Sequence, residues 1–203
     1  VNGALALRSQ IEKIIDQIWE EGFDGIYFIG IGGTYASSMQ VEVYMRGRSK
    51  LPVFVENAAE FLTTGNKKFT NKSVVIISSV SGNTKEMVEL VDRVHEKGAK
   101  VFSFIDNPGT ILTQPDKQDY LIVYPMNEQL KFYMVANYLM YKNGEFDDYD
   151  RYNKEMEANL ADVLVQVEKD SDEWAYEYAK IRWHFGKNIK IFLITLLDQE
   201  ISM

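Results

Sequence analysis

Ser79, Ser81, Gly82 and Thr84 stand together directly after the run Ser73-Val74-Val75-Ile76-Ile77-Ser78 and directly before Lys85-Glu86-Met87, where helical spacing begins. A strand that stops there and a helix that starts there bring unpaired backbone N–H groups and the positive end of a helix dipole to one point. Such a point is suited to an anion, and the hydroxyls at 79, 81 and 84, with Asn83 between them, add donors. Any one of these side chains has a simpler use: Ser81 or Asn83 would make an ordinary helix cap. The whole Ser-x-Ser-Gly-x-Thr cluster behind a buried strand points instead to a phosphate.

A second loop, Gly30-Ile31-Gly32-Gly33-Thr34-Tyr35, follows the apolar run Ile26-Tyr27-Phe28-Ile29. A dinucleotide fingerprint needs glycine at its first, third and sixth positions, and the sixth here is Tyr35. Glu56, at the end of the next apolar run, stands where an acid would meet a ribose hydroxyl, so NAD binding is an alternative. That alternative leaves the Ser79/Ser81/Thr84 cluster without a use. A Walker A loop is excluded, because no Gly-Lys-Ser/Thr follows a strand. The competing reading gives both loops to one small phosphorylated ligand. Gly32 and Gly33 would let the backbone approach it, and Thr34 would offer a hydroxyl.

The elements that must carry these loops can be read in order. Ile11, Ile14, Ile15 and Ile18 recur at helical spacing between Leu7 and Glu20, and Gly22 and Gly25 end that helix. A helix from about Tyr35 to Gly47 is expected to turn Met39, Val43 and Tyr44 inward. Pro52-Val53-Phe54-Val55-Glu56 reads as a second strand with a short helix after it, and Thr84 to Lys97 as a helix with Met87, Leu90, Val91 and Val94 inside. Lys100 to Ile105 and Tyr120 to Tyr124 read as the last two strands, the former ended by the turn Asp106-Asn107-Pro108-Gly109. Continuous apolar strands separated by helices indicate a parallel sheet buried on both faces. The expected fold class is therefore α/β, a three-layer αβα sandwich over a five-stranded parallel sheet, with both loops at the carboxyl ends of strands.

Beyond Glu128 the pattern becomes helical. Gln129 to Tyr141 is followed by the acidic link Asn143-Gly144-Glu145-Phe146-Asp147-Asp148, then by charged helix from Tyr152 to Trp183, with a break expected at Asp170-Ser171-Asp172. The domains expected are residues 1–142, the phosphate-binding unit, and residues 143–203, a helical extension.

Composition narrows the function. In 203 residues the net charge is −8, against a nucleic-acid or membrane-surface partner, both of which need positive fields. Without cysteine there is no disulfide or thiolate metal site, and the two histidines, His95 and His184, leave little for a metal centre, so neither a metal nor a cofactor is expected. His95 reads as a surface or edge residue and His184, in Trp183-His184-Phe185, as packing. No signal peptide or apolar run of spanning length is evident, which makes the cytoplasm the expected compartment.

The residues resemble a known family, the sugar isomerase (SIS) domain. Its hallmark is Ser-x-Ser-Gly-x-Thr after the third strand of a five-stranded parallel sheet in a flavodoxin-like arrangement. By that resemblance Ser79, Ser81, Gly82, Asn83 and Thr84 hold the phosphate of a phosphosugar. Ile31-Gly32-Gly33-Thr34-Tyr35 is similar to the first loop of glucosamine-6-phosphate synthase and its deglycase relatives, and Ala59-Glu60-Phe61 to their Glu-Phe pair. Phe146-Asp147-Asp148-Tyr149 resembles most the fructosamine 6-phosphate deglycases. The resemblance implies a phosphorylated sugar or sugar–amine adduct as partner and a homodimer.

Whether it implies catalysis is a separate matter. Tandem members of this subgroup carry a second SIS domain with an acid/base pair, its histidine in a Glu-Phe/Leu-x-His-Gly stretch that this sequence lacks. Gly186 to Ile194 looks like the first strand of such a second domain, interrupted thereafter. Proton transfer between adjacent sugar carbons needs a base. Glu60 is the local candidate, although a first-turn carboxylate commonly serves the helix dipole. Glu86, one turn into the loop's helix, reads more simply as a solvated first-turn acid. The competing class is a non-catalytic phosphosugar sensor.

Overall fold

Five runs of β-branched and aromatic residues become strands β1 (Gly25–Gly30), β2 (Val53–Asn57), β3 (Ser73–Ser79), β4 (Lys100–Ile105) and β5 (Tyr120–Val123). In the computed structural model, which describes residues 1–183 with side chains through 179, they form one sheet in the order β2-β1-β3-β4-β5. Every neighbouring pair is parallel. The helices are α1 (Asn2–Leu5), α2 (Arg8–Glu21), α3 (Gly33–Arg46), α4 (Ala58–Thr64), α5 (Lys85–Lys97), α6 (Glu128–Lys142) and α7 (Tyr149–Trp183). This is the expected α/β sandwich.

Both central strands β1 and β3 are buried at every residue, because helices cover both faces. On one face Tyr27, Ile29, Val75, Ile77 and Val101 meet Phe61 of α4 and Met87, Leu90, Val91 and Val94 of α5. On the other, α6 packs with α2 and α3, and its Phe132 lies edge-on to Phe28 of β1 and Phe104 of β4, at 5.3 and 6.1 Å.

Two expectations fail locally. In α3 the buried stripe is Ser38, Val41 and Met45, while Met39 and Val43 face outward at 41% and 65% exposure. The α6 side decides the rotation. A serine can occupy the inner stripe because its hydroxyl donates to Thr34 O at 2.9 Å. Tyr44 reaches α6, donating to Asn137 Oδ1 at 2.7 Å. The break expected at Asp170-Ser171-Asp172 does not occur, and Tyr149–Trp183 is one helix. That stretch has neither Gly nor Pro, and Asp or Ser in a helix costs only about 0.7 kcal/mol or less each.

The chain divides into two units, Val1–Asn153 and Lys154–Met203. Within the second, Trp174 stacks on Tyr178 one turn later at 5.3 Å. His184 and the strand expected at Gly186 to Ile194 lie outside the described residues.

Candidate functional site

β3 ends in a turn built from its own hydroxyls. Ser79 is buried, and its Oγ accepts the Gly82 N–H at 3.0 Å. Gly82 has φ +63°, and a Cβ there would stand 2.1 Å from Thr110 Oγ1 and 2.6 Å from Thr110 Cβ, so only glycine fits. The segment after β4 braces the turn from outside. Asn83 Oδ1 accepts the Ile111 N–H at 2.9 Å, Gly82 O accepts the Leu112 N–H at 3.0 Å, and Asn107 Nδ2 donates to Val80 O at 2.7 Å.

The hydroxyls that remain are Ser81 and Thr84, 3.1 Å apart. Ser81 Oγ also accepts the Asn83 N–H at 3.3 Å. Thr84 occupies the N-cap of α5, yet no side chain caps that helix. The simpler use considered for Ser81 and Asn83, capping α5, is therefore not realised. Ser79 and Asn83 build the loop, and Ser81 and Thr84 stand at an uncapped helix N-terminus.

The first loop is equally constrained. A Cβ on Gly30 would lie 2.6 Å from both Thr34 C and Tyr35 N, so β1 can turn into α3 only on glycine. Gly32 has φ +61° and begins α3, again without a side-chain cap. Thr34 Oγ1 closes the turn, accepting the Ile31 N–H and donating to Ile31 O, each at 3.0 Å. Around Gly33 a Cβ would meet nothing within 4 Å, so its outer side is open.

Tertiary structure brings the loops side by side. β1 and β3 are neighbours in register, Ile29 opposite Ile77, so both loops leave the same edge of the sheet. α3 then goes to the face of α6, and α5 goes to the face of α4. Helices departing to opposite faces open a crevice at this switch point, where open α/β sheets bind ligands. β2 flanks it, and Asn57 caps α4 by accepting the N–H groups of Ala59 and Glu60 at 3.0 and 3.4 Å. Glu60 itself is exposed in the first turn of α4.

A charged pair that the sequence spacing does not reveal stands at the same edge. The N–H of Asp106, just after β4, donates to Ser79 O at 3.1 Å. Its carboxylate accepts the Met126 N–H at 2.8 Å and the fully buried Lys131 ammonium at 3.2 Å. Lys131 Nζ also donates to Tyr124 O at 2.9 Å. Met126 and Asn127, both with positive φ, lead the chain from there into α6. In sequence Asp106 reads only as turn chemistry and Lys131 as one polar residue in an apolar helix, 25 residues apart, so no local signal joins them. Among the described residues, no cluster of three or more His, Cys, Asp or Glu could hold a metal ion.

The comparisons agree with this architecture. The glutamine–fructose-6-phosphate aminotransferase [isomerizing] of Fusobacterium nucleatum is 25% identical over 165 residues, 73% of this chain but 27% of that protein. The chain thus spans roughly a quarter of the length of that relative. A Salmonella typhimurium protein described as a phosphosugar isomerase superposes with a TM-score of 0.72 at 23% identity, over 84% of this chain and 55% of that one. An Escherichia coli protein solved in complex with arabinose 5-phosphate superposes with a TM-score of 0.57 at 18% identity, over 73% and 84%. Both structures share the fold. Residues 23–142, which contain all five strands and both loops, match the SIS domain model, and the chain belongs to the SIS domain family.

Proposed function

We propose that the crevice between β1 and β3 binds a phosphorylated sugar, with its phosphate on the β3 loop. The observation that carries this reading is the pairing of Ser81 and Thr84 hydroxyls at a helix N-terminus that no side chain caps. That combination supplies hydroxyl donors, free amides and a favourable dipole at one point. Gly82 and Asn83 hold the loop in shape. Gly32, Gly33 and Thr34 form the opposite wall, where the open side of Gly33 admits the sugar. The names of the relatives support the ligand class: one acts on fructose 6-phosphate, and another holds arabinose 5-phosphate.

The reaction class proposed with it is isomerisation of the sugar phosphate or removal of an amine from its adduct. Both begin with proton transfer between adjacent carbons, with Glu60 as the base within this domain. Removal of the amine is completed by water, which adds to the resulting imine carbon, after which the C–N bond breaks and the amine leaves protonated. The working unit is proposed to be a homodimer.

Thermal shift and titration calorimetry test the binding. Glucose 6-phosphate, glucosamine 6-phosphate and fructose 6-phosphate are expected to stabilise the chain, by about 2.7 kcal/mol at a hundredfold excess over Kd. Ser81→Ala with Thr84→Ala abolishes the effect and leaves the fold intact. Stabilisation by NAD and not by phosphosugars overturns the proposal.

A further inference from the structure

α6 carries a group of buried polar atoms with no use in the fold. Among the described residues, Glu128 Oε1 and both amide atoms of Gln129, Oε1 and Nε2, are sealed from solvent and have no hydrogen-bond partner. Buried polar atoms in folded proteins are almost always paired. An unpaired carboxylate oxygen is the costliest kind to leave so. Here three such atoms sit on consecutive residues.

Their position follows from their neighbours. Glu128 precedes Lys131 by three and Phe132 by four, so it shares their inward face. Phe132 packs on Phe28, two residues before β1 ends at Gly30, and on Phe104, two residues before Asp106, the first residue after β4. One helical turn back from Phe132 is about 5.4 Å. Two strand residues forward are about 6.6 Å. The two displacements match, because α6 enters at the carboxyl edge, where Lys131 meets Asp106 and Tyr124, and runs back across the sheet. Glu128 therefore stands level with the ends of β1 and β4. Between those strands lies β3, ending in Ser79. Gln129 lies one turn before Tyr133, which packs against Tyr44 of α3 at 4.9 Å, so it borders the side of the crevice that α3 forms.

We infer that Glu128 and Gln129 are the polyol-recognising side chains of this crevice, an assignment that rests on the phosphosugar reading. A carboxylate oxygen accepts hydrogen bonds from sugar hydroxyls, and an amide both donates to them and accepts from them. A carboxylate repels a phosphate dianion, so Glu128 takes the hydroxyl-bearing chain while Ser81 and Thr84 take the phosphate. Both residues are half-buried and these three atoms are covered, so Glu128 and Gln129 must turn toward the crevice to meet the sugar hydroxyls that pair them. A ligand that lacks the hydroxyls leaves them unpaired, which is how such sites discriminate.

The test is calorimetric titration of the full chain with inorganic phosphate and, separately, fructose 6-phosphate, for wild type, Glu128→Gln, Gln129→Leu, and the Ser81→Ala/Thr84→Ala pair. Glu128→Gln and Gln129→Leu are expected to weaken fructose 6-phosphate by about tenfold while changing phosphate by less than about twofold, as loss of a charge-assisted hydroxyl contact in the first and of the amide contacts in the second predicts. Their ligand-free melting temperatures are expected to be equal to or above wild type, because Glu128→Gln replaces an unpaired buried carboxylate oxygen by a neutral amide atom and Gln129→Leu removes two unpaired amide atoms. Unchanged fructose 6-phosphate affinity, or an equal loss of both ligands, overturns the assignment. So does unfolding of either variant, which would show that the side chain serves the structure. The Ser81/Thr84 variant separates the two levels. If it keeps both ligands, or if wild type binds neither, the phosphosugar reading fails and takes this assignment with it. If it loses both while Glu128→Gln and Gln129→Leu behave as wild type, only the polyol assignment fails.

Discussion

The ammonium of Lys131 lies 3.2 Å from the carboxylate of Asp106, with 0% and 7% of the two side chains exposed. This pair does more than neutralise itself. Asp106 is tied through its N–H to Ser79 O, and Lys131 to Tyr124 O, so one buried contact fastens the β3 loop, the end of β5 and the start of α6. The loop's shape and the position of α6 are mechanically linked through it.

Removing one member leaves the other charged and buried. Lys131→Met is therefore expected to cost about 3–5 kcal/mol in urea unfolding. Adding Asp106→Asn to Lys131→Met should recover a large part of that loss, since the stranded charge goes with it. A double variant no more stable than the single one would show that packing, not the ion pair, sets the cost.

Two glycines separate structural need from ligand access. Gly82→Ala meets both a left-handed φ and the side chain of Thr110, so it should lower stability by at least about 1–3 kcal/mol and distort the loop. Gly33→Ala meets neither, so its unfolding midpoint should match wild type. If Gly33 is the open wall of the site, fructose 6-phosphate binding nevertheless weakens, and calorimetry beside denaturation reads both effects.

Alkaline pH should destabilise the protein through buried phenols. Burial, with Asp24 and Glu56 nearby, pushes the Tyr27 phenol from 10.0 up to about 12. Burial also raises Tyr138 and Tyr149, which donate to Asp16 and Glu12. A raised folded value means that the unfolded chain loses its proton first. The contribution of Tyr27 is thus fully present below about pH 10 and is lost between pH 10 and about 12. Urea midpoints across that window should fall for wild type and fall less for Tyr27→Phe.

Glu60 and its cap make a paired test. Asn57→Ala removes the acceptor for two N–H groups of α4 and should cost about 1 kcal/mol. Glu60→Gln leaves packing and capping untouched, so the unfolding midpoint should not move. If Glu60 is the base, sugar-phosphate interconversion disappears while phosphosugar binding persists, a split between turnover and affinity that a structural role would not give.

The strand, loop and helix start at residues 73–85 were legible in sequence because their information is local: a buried strand, hydroxyls, one glycine and a helix start within about a dozen residues. The same holds for the five strands, whose continuous apolar runs can only lie in a sheet covered on both faces. The α3 stripe was not legible, because a helix with apolar residues on several sides takes its facing from its neighbours. Nor was the fate of individual hydroxyls. Ser79 and Thr34 are spent inside their own turns, whereas Ser81 and Thr84 face each other, and spacing alone treats all four alike. What the sequence determined by itself is a hydroxyl- and glycine-bearing loop between strand and helix on a parallel α/β sheet. The buried Asp106–Lys131 tie and the crevice between β1 and β3 were decided only by tertiary structure, as were the unpaired atoms of Glu128 and Gln129. Each depends on residues far apart in the chain meeting at one edge of the sheet, and burial there gives a charge or an orphaned polar atom its energetic weight.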